Sequence, residues 1–404
     1  LEAVVDAADA LDAWAPLLWP EVPGNLCVDQ IFGDQSAVDR GLKDSHHVVR
    51  RRFHHGRIVN SQTEPRSIVA IPDPEAGKLV VSTGSQGALR IRDGLCLALG
   101  MAPEDLRVIS QDVGGGFGPR SFVYPEMAVV AWAARRLGQP VKWTADRSES
   151  FLADYQGRDT SIEAALGVDI DGRFLALEVH IVSNVGAHTV AFVPLANASR
   201  IVTTTYDIPA ASVRARGVMT TTVPTVPYRG AGRPEATAAL EQLIDLAAAE
   251  MGIDRLKLRQ CNLIPDTKVP YTNALGLTYD SGRFSENLAR AASLADWHGV
   301  QERRRRAEGR GRLLGIGIAN YVESPVGDPR EQVSLDVSPD GFVTLTTGTH
   351  STGQGHETTL AQVAATRLQV PLKSIRFRSG DSDVVLMGGG THSDRSMRIA
   401  GTLL

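Results

Sequence analysis

Four short stretches carry the residue types from which a binding chemistry can be built: "VGGGFG" (113–118), "RGAG" (229–232), "GQGHET" (353–358) and "GGGTHSDRS" (388–396). Each ordered glycine costs roughly 0.5–1 kcal/mol relative to alanine, a cost offset where the backbone must approach another group closely. A single Gly-rich loop is more often a tight connection than a binding site. Several in one chain mean more, because loops ahead of helices offer free N–H groups and positive dipole ends to an anion. No GxxxxGK[ST] is present, and no GxGxxG is followed by an acid about 20 residues on, which argues against a P-loop or a Rossmann dinucleotide site. The ligand that suits several separated loops is large, polyanionic and polar along its length.

Composition narrows the classes further. The 404 residues suggest two to three domains, and a net charge of −4 gives no electrostatic case for nucleic acid or a membrane surface. No apolar run has the length of a membrane span. The opening "LEAVVDAADALDAWAPLL" is acidic, without the basic region of a signal peptide. Cys27, Cys96 and Cys261 are scattered, and the ten histidines form no HExxH, so no protein-ligated metal is expected. A reduced, cytoplasmic protein is the expectation.

The elements that must position the loops are legible. "LRVISQDV" (106–113) reads as a strand leading into the glycines. "PEMAVVAWAARRLG" (125–138) reads as a helix, with Pro125 at its first position and Gly138 at its stop. "SVRARGVMTTTV" is a strand ahead of "RGAG", after which Leu240, Leu243, Ile244 and Ala247 have amphipathic helical spacing up to Gly252. "FVTLTTGTHSTGQGHETTLAQVAATRL" (342–368) repeats the layout of strand, polar loop and helix. Hairpins are predicted around Asp171-Gly172 and Asp340-Gly341. Mixed strands, hairpins and helices predict α+β architecture with mixed sheets. "QERRRRAEGRGR" (301–312) reads as a solvated helix face leading into a linker.

Taken in order, "VGGGFG", "YRGAGRPEA", "GQGHET" and "GDSDVVLMGGGTHSDRS" resemble the molybdenum-binding large subunit of the xanthine dehydrogenase/aldehyde oxidase/aerobic carbon monoxide dehydrogenase family, over about residues 25–400. The resemblance implies a molybdopterin cofactor carrying molybdenum, in the cytosine dinucleotide form. It implies catalytic-site roles for Gln86, matching the glutamine that hydrogen-bonds a metal oxygen, for Phe117 in the loop against the metal's ligands, and for Arg229 near the metal. It implies cofactor-binding roles for Gly115, Gly116, Gly118, Gly230, Arg233 (also read as capping the following helix), Gln354, Gly355, His356, Thr391, Ser393 and Arg395. Gly116 and Gly118 are expected where a β-carbon would block approach to the cofactor.

Departures shape the expected activity. Carbon monoxide-oxidising members carry a copper-bridging cysteine directly after the motif arginine, where this chain has Gly230. Purine contacts of the family fall here on Ser121, Asn197 and Ala231, which disfavours xanthine. The family's general-base glutamate would lie beyond residue 404, and Glu235 and Glu357 sit at helix starts where dipole and capping roles explain them. The expectation is a fragment, truncated at both ends, of a molybdenum hydroxylase catalytic subunit. It would hydroxylate an aldehyde or an N-heterocyclic carbon with oxygen from water. The resemblance implies partners that carry FAD and 2Fe–2S, since three scattered cysteines cannot ligate a cluster. The alternative is a non-catalytic cofactor-binding half or scaffold. Domains are expected as 1–40 (tail of a preceding α/β domain and linker), 41–265 and 285–404 (first and second cofactor-binding domains), joined by a linker at 266–284.

Overall fold

The computed structural model describes residues 3–325 and 327–404. Two compact units share the chain. One takes the chain as far as Ile58, then Gly157–Val226 and Gly230–Glu323; the other takes Val59–Gln156, Pro227–Arg229 and Ser324–Leu404. The segments of the two units alternate along the chain, so 59–156 belongs with 324–404 rather than with the chain on either side of it.

In the first unit five strands lie in the order Leu26–Gly33, Ala210–Met219, Phe174–Gly186, Thr160–Val168 and His47–His55. All neighbours are antiparallel except the parallel pair of Phe174–Gly186 and Ala210–Met219. The Asp171-Gly172 hairpin joins two of them as its turn chemistry predicts, with Gly172 at φ 83°. Leu26–Gly33, within the segment expected as a tail, is an edge strand of this sheet. The helix Arg233–Met251 buries Leu240, Leu243, Ile244 and Ala247 among Ile162, Leu166, Val179 and Val213. Gly252 then closes it in the left-handed conformation at φ 65°.

That helix also buries Glu241, which periodicity assigns to solvent. Its carboxylate accepts from Arg259 Nε at 2.7 Å and from Tyr206 Oη at 2.6 Å, so the unit's core contains a closed polar network. The arginine run forms the exposed helix Val300–Glu308, where Glu302 pairs with Arg305 and Arg306.

The second unit holds two mixed sheets. Leu106–Ile109, Lys78–Thr83, Ser67–Asp73 and Val141–Thr144 form one in that order, with the first pair parallel and the others antiparallel. Ile68, Ala70, Leu79, Val81, Leu106 and Val108 alternate into its core. The helices Ala88–Leu99 and Pro125–Leu137 pack beside it. Val333–Val337, Val343–Thr347 and Ile375–Arg378 form the other sheet, the first pair an antiparallel hairpin and the second a parallel pair joined through the helix His356–Leu368. The strand expected over 106–113 stops at Ile109, because Ser110 turns to donate its N–H to the Gly380 carbonyl at 2.7 Å. Among the described residues, no helix is long and apolar enough to cross a membrane.

This topology places the chemistry. Thr83, Ile109, Thr347 and Arg378 are the last residues of the two parallel pairs. The loops that follow them are 84–87, 110–118, 348–355 and 379–395. In open sheets with parallel strands, the carboxyl ends are where ligands gather, since loops and helix N-termini open there.

Candidate functional site

Gln86 ties three of these loops together. Its Oε1 accepts from Gly118 N–H at 2.7 Å, and its Nε2 donates to the Thr391 carbonyl at 2.7 Å. Its backbone N–H donates to the Arg120 carbonyl, and its carbonyl accepts from Thr391 N–H. The side chain is 5% exposed. One amide hydrogen remains beyond these bonds, as the expected donor role toward a ligand requires.

The glycines of "VGGGFG" have reasons inside the protein. A β-carbon on Gly118, at φ 120°, would stand 2.0 Å from the Pro227 carbonyl oxygen, and one on Gly116 would stand 2.6 Å from Gln86 Cγ. At Gly115, with φ 105°, it would meet the Phe117 ring at 2.9 Å. The first neighbours that a side chain would strike at these positions belong to this chain. Phe117 itself is left-handed at φ 59°, and its carbonyl accepts Arg229 N–H at 2.9 Å. The Arg229 guanidinium lies over the Phe117 ring, 4.8 Å from its centre.

The loop after Thr347 is different. Gly353 (φ 121°) and Gly355 (φ 70°) would project a β-carbon into open space. Gly355 precedes the 13-residue helix His356–Leu368, whose N-terminus has no side-chain cap. This loop offers the room that the glycine argument sought at 116 and 118. Gln354 turns its carbonyl back onto Thr352, accepting from its N–H at 2.6 Å and from Oγ1 at 3.1 Å, so it shapes the loop. His356 is 9% exposed with Nδ1 unpartnered, and burial holds its pKa below the ordinary histidine value.

Beneath the loops lies a buried polar layer. Thr391 Oγ1 bonds Thr349 Oγ1 at 2.7 Å, and Thr349 Oγ1 in turn meets Ser396 Oγ. His350, 2% exposed, sets Nε2 2.8 Å from the Ser85 carbonyl; that ring nitrogen therefore carries the proton, and burial keeps the ring neutral. Ser393 is exposed and left-handed at φ 49°.

Arg395 is fully buried and spent on the protein. It donates to the carbonyls of Asp328, Gly390 and Arg330 and to Glu331 Oε2 at 2.6 Å. These bonds fix the loop that carries Thr391 and Ser393. A cavity of about 590 Å³ opens among the same loops, lined in part by Ser110, Asp112, Ser351, Gly353, Glu357 and Arg378.

In the first unit, Gly230, Ala231 and Gly232 are consecutive left-handed residues. A side chain on Gly230 would meet the Pro234 ring at 2.4 Å, and one on Gly232 would meet the Pro194 carbonyl at 1.9 Å. Arg233 does not cap the helix through its side chain but begins it; its guanidinium pairs with Glu323 at 2.9 Å. Glu235 is buried against Arg158 at 3.0 Å.

The sequence reading missed His350, Glu64 and Arg120. Glu64 holds the glycine loop in register, its carboxylate accepting Gly114 N–H at 2.8 Å and its N–H donating to the Gly114 carbonyl. Nothing in the local pattern of "SQTEPRS" marks it; only the fold brings it there.

Mixed sheets with Gly-rich loops at the ends of parallel strands are an arrangement suited to an extended polar ligand. Residues 18–263 and 290–402 each match the molybdopterin cofactor-binding domain, and the chain belongs to that family. It is 31% identical to the 6-hydroxypseudooxynicotine dehydrogenase complex subunit gamma of Paenarthrobacter nicotinovorans, over 99% of this chain and 51% of the relative. It is 30% identical to the carbon monoxide dehydrogenase large chain of Hydrogenophaga pseudoflava, over 100% of this chain and 54% of that one. Quinoline 2-oxidoreductase from Pseudomonas putida 86 superimposes with a TM-score of 0.92 at 29% identity, covering 98% of this chain and 52% of that structure. The chain spans about half the length of the relatives it matches.

Proposed function

We propose that this chain is the cofactor-holding part of a molybdenum hydroxylase catalytic subunit, acting on an aldehyde or an N-heterocyclic carbon with water as the oxygen source. The observation that carries the reading is the convergence on Gln86 of the glycine loop and the Thr391 loop, beside the uncapped helix at Gly355. The donor set fits the group: backbone N–H donors and amides suit a long anionic pterin, and the space at Gly353 and Gly355 admits one.

When bound, molybdopterin supplies the metal at which carbon oxidation and electron acceptance take place. The chain's own residues orient and hold it. Gln86 would offer it the remaining amide N–H, the Phe117–Gly118 loop would help hold it, and the uncapped helix start at His356 would suit its anionic portion. Thr391 and Ser393 stand in the loop opposite, positioned by Arg395. Arg229, stacked on Phe117, presents a planar cation suited to an anionic oxygen. Gly230 cannot ligate copper, and Pro234 occupies the place of any side chain there, so carbon monoxide oxidation is not proposed.

The cytosine dinucleotide form of the cofactor, and partner chains carrying 2Fe–2S and FAD, complete the proposal. Relatives named as a complex subunit and a large chain support an assembly with other polypeptides. A second reading is a non-catalytic cofactor-binding half, favoured by the burial of Glu235 against Arg158, which removes it as a free base. The test is molybdenum and pterin-nucleotide analysis of the protein purified with its natural partners. Equimolar molybdenum and cytidine nucleotide are expected; neither being present rejects the proposal. Cofactor with no turnover on any aldehyde or N-heterocycle favours the second reading.

A further inference from the structure

Among the described residues, four arginine side chains are the largest fully buried groups: Arg66, Arg120, Arg259 and Arg395. Three have carboxylate partners. Arg66 pairs with Glu126 and Asp154, Arg259 with Glu241 and Asp245, and Arg395 with Glu331. Among the described residues, Arg120 has no carboxylate oxygen within salt-bridge distance, although it is 1% exposed; the Glu64 and Asp154 carboxylates act on it only through space. Its Nη2 donates to the Glu64 carbonyl at 2.5 Å, its Nη1 reaches the Gly84 carbonyl at 3.5 Å, and its Nε has no partner.

Burying an unpaired charge costs several kcal/mol even after relaxation. Bracing two carbonyls does not require that cost, since a neutral amide donates to carbonyls as well. The position of Arg120 shows where the charge can act. Its own carbonyl accepts Gln86 N–H, Gly84 adjoins the Gln86 loop, and Glu64 is hydrogen-bonded to Gly114. The cation therefore sits under both loops that Gln86 and Gly118 join. In a poorly polarisable interior its field is weakly screened.

We propose that Arg120 is a positioning residue whose charge, without a direct carboxylate partner, biases the Gln86–Gly118 cradle toward an anionic ligand, which supplies that partner on binding. This rests on the cofactor reading for the identity of that ligand, but the charge effect can be read separately. Two properties follow. Anions bind more tightly than the hydrogen-bond inventory alone provides, and a metal held there is easier to reduce than it is without the cation.

The test compares Arg120→Gln, which keeps carbonyl-directed donors without the charge, with Arg120→Lys, which keeps the charge without the fork. In the holoenzyme, Arg120→Gln is expected to release cofactor about tenfold faster and to move the metal's midpoint potential in the negative direction, while Arg120→Lys stays near wild type in potential. An unchanged potential in Arg120→Gln, or an equal shift in both variants, overturns the proposal. In parallel, tripolyphosphate is titrated into the chain by calorimetry, with about tenfold weaker binding expected for Arg120→Gln. A wild-type chain that binds tripolyphosphate yet carries no molybdenum sinks the cofactor reading and leaves this one standing. Equal tripolyphosphate affinity in wild type and Arg120→Gln rejects it, and Arg120→Met replaces Arg120→Gln if the latter does not fold.

Discussion

The guanidinium carbon of Arg229 stands 4.8 Å from the centre of the Phe117 ring, while its own N–H donates to the Phe117 carbonyl at 2.9 Å. One residue is thereby held twice by the same neighbour, through backbone and through side chain. A stacked, oriented guanidinium is suited to planar recognition of an anionic oxygen. A charge-assisted contact contributes about 1.5–3 kcal/mol. In the complete enzyme, Arg229→Ala is expected to lower turnover by roughly one to two powers of ten at about 1.4 kcal/mol per tenfold. Arg229→Lys should recover only part of this, with cofactor content near normal. Steady-state kinetics with metal analysis decide; full activity in the alanine variant rejects the role.

Gln86 discriminates between amide and carboxylate chemistry. In Gln86→Glu one oxygen still accepts Gly118 N–H, but the other faces the Thr391 carbonyl where Nε2 now donates. Two acceptors then confront each other in a buried place, at a cost of about 1–3 kcal/mol for the unsatisfied groups. Thermal unfolding of the cofactor-free protein should show Gln86→Glu less stable than wild type at neutral pH. The deficit should shrink as acidification protonates the new carboxyl. A pH-independent deficit would mean that the clamp to Thr391 is not what the substitution breaks.

The glycines predict an order of severity. Gly118→Ala combines a φ of 120° with a β-carbon 2.0 Å from the Pro227 carbonyl oxygen, a rigid neighbour, and should abolish cofactor retention while far-UV circular dichroism persists. Gly116→Ala meets the Gln86 side chain at Cγ, which can yield only by breaking its bonds to Gly118 and Thr391, and should retain a reduced fraction of cofactor. Gly355→Ala meets nothing in the protein and should cost only about 1 kcal/mol of stability. If Gly355→Ala nevertheless loses cofactor, the space there is where the ligand lies. Molybdenum content of the three purified variants gives the order directly.

Much of this arrangement could be read from sequence because local rules and tertiary demand agree. Pro125 and Gly138 bound their helix as punctuation predicts, and the Leu240–Ala247 stripe is buried as its spacing predicts. The hairpins at Gly172 and Gly341 form where turn chemistry places them. What could not be read is polar and non-local. Glu241, Glu331 and Arg120 look like solvent-facing charges in any window, and only distant partners make the burial of their side chains possible. The glycines of 115–118 were legible as close-approach positions, but not the object approached, because Pro227 and Gln86 are remote in sequence. The interleaving of 59–156 with 324–404 leaves no local mark, since no single segment carries it.

Acid should loosen the Thr391 loop through His392. Burial first, then the charges of Arg90 and Arg395, outweigh Asp328 and push its pKa down to about 4 from 6.5. The folded state therefore resists a proton that the unfolded chain accepts. Stability from this group is fully present above pH 6.5 and is lost as pH falls toward 4, by about 3 kcal/mol at pH 4. Urea unfolding of wild type and His392→Gln at pH 7.5 and 4.5 should show the variant less sensitive to acid. Parallel losses in both proteins would assign acid sensitivity to other groups.

The pair of Arg395 and Glu331 makes the sharpest stability prediction. Both side chains are 0% exposed at 2.6 Å, and Glu331 also accepts Gly348 N–H at 2.8 Å. Burial pushes the Glu331 carboxyl up, against the pull of Arg395, so the carboxylate depends on its partner to stay charged. Arg395→Met removes that partner and leaves a buried acid, with an expected cost of about 3–5 kcal/mol. Glu331→Gln keeps one acceptor oxygen, so either Gly348 N–H or Arg395 Nη1 faces the new amide NH2, and the guanidinium's charge is stranded; it should cost a comparable amount. In the double variant Arg395→Met/Glu331→Gln neither charge remains, and stability should recover part of the way toward wild type. Additive losses across the cycle would show that the two residues act independently. Cofactor content should follow stability in this series, because Arg395 supports the loop of Thr391 and Ser393 through Gly390 and Glu331. A stable Arg395→Met protein devoid of cofactor would instead assign Arg395 to the ligand itself.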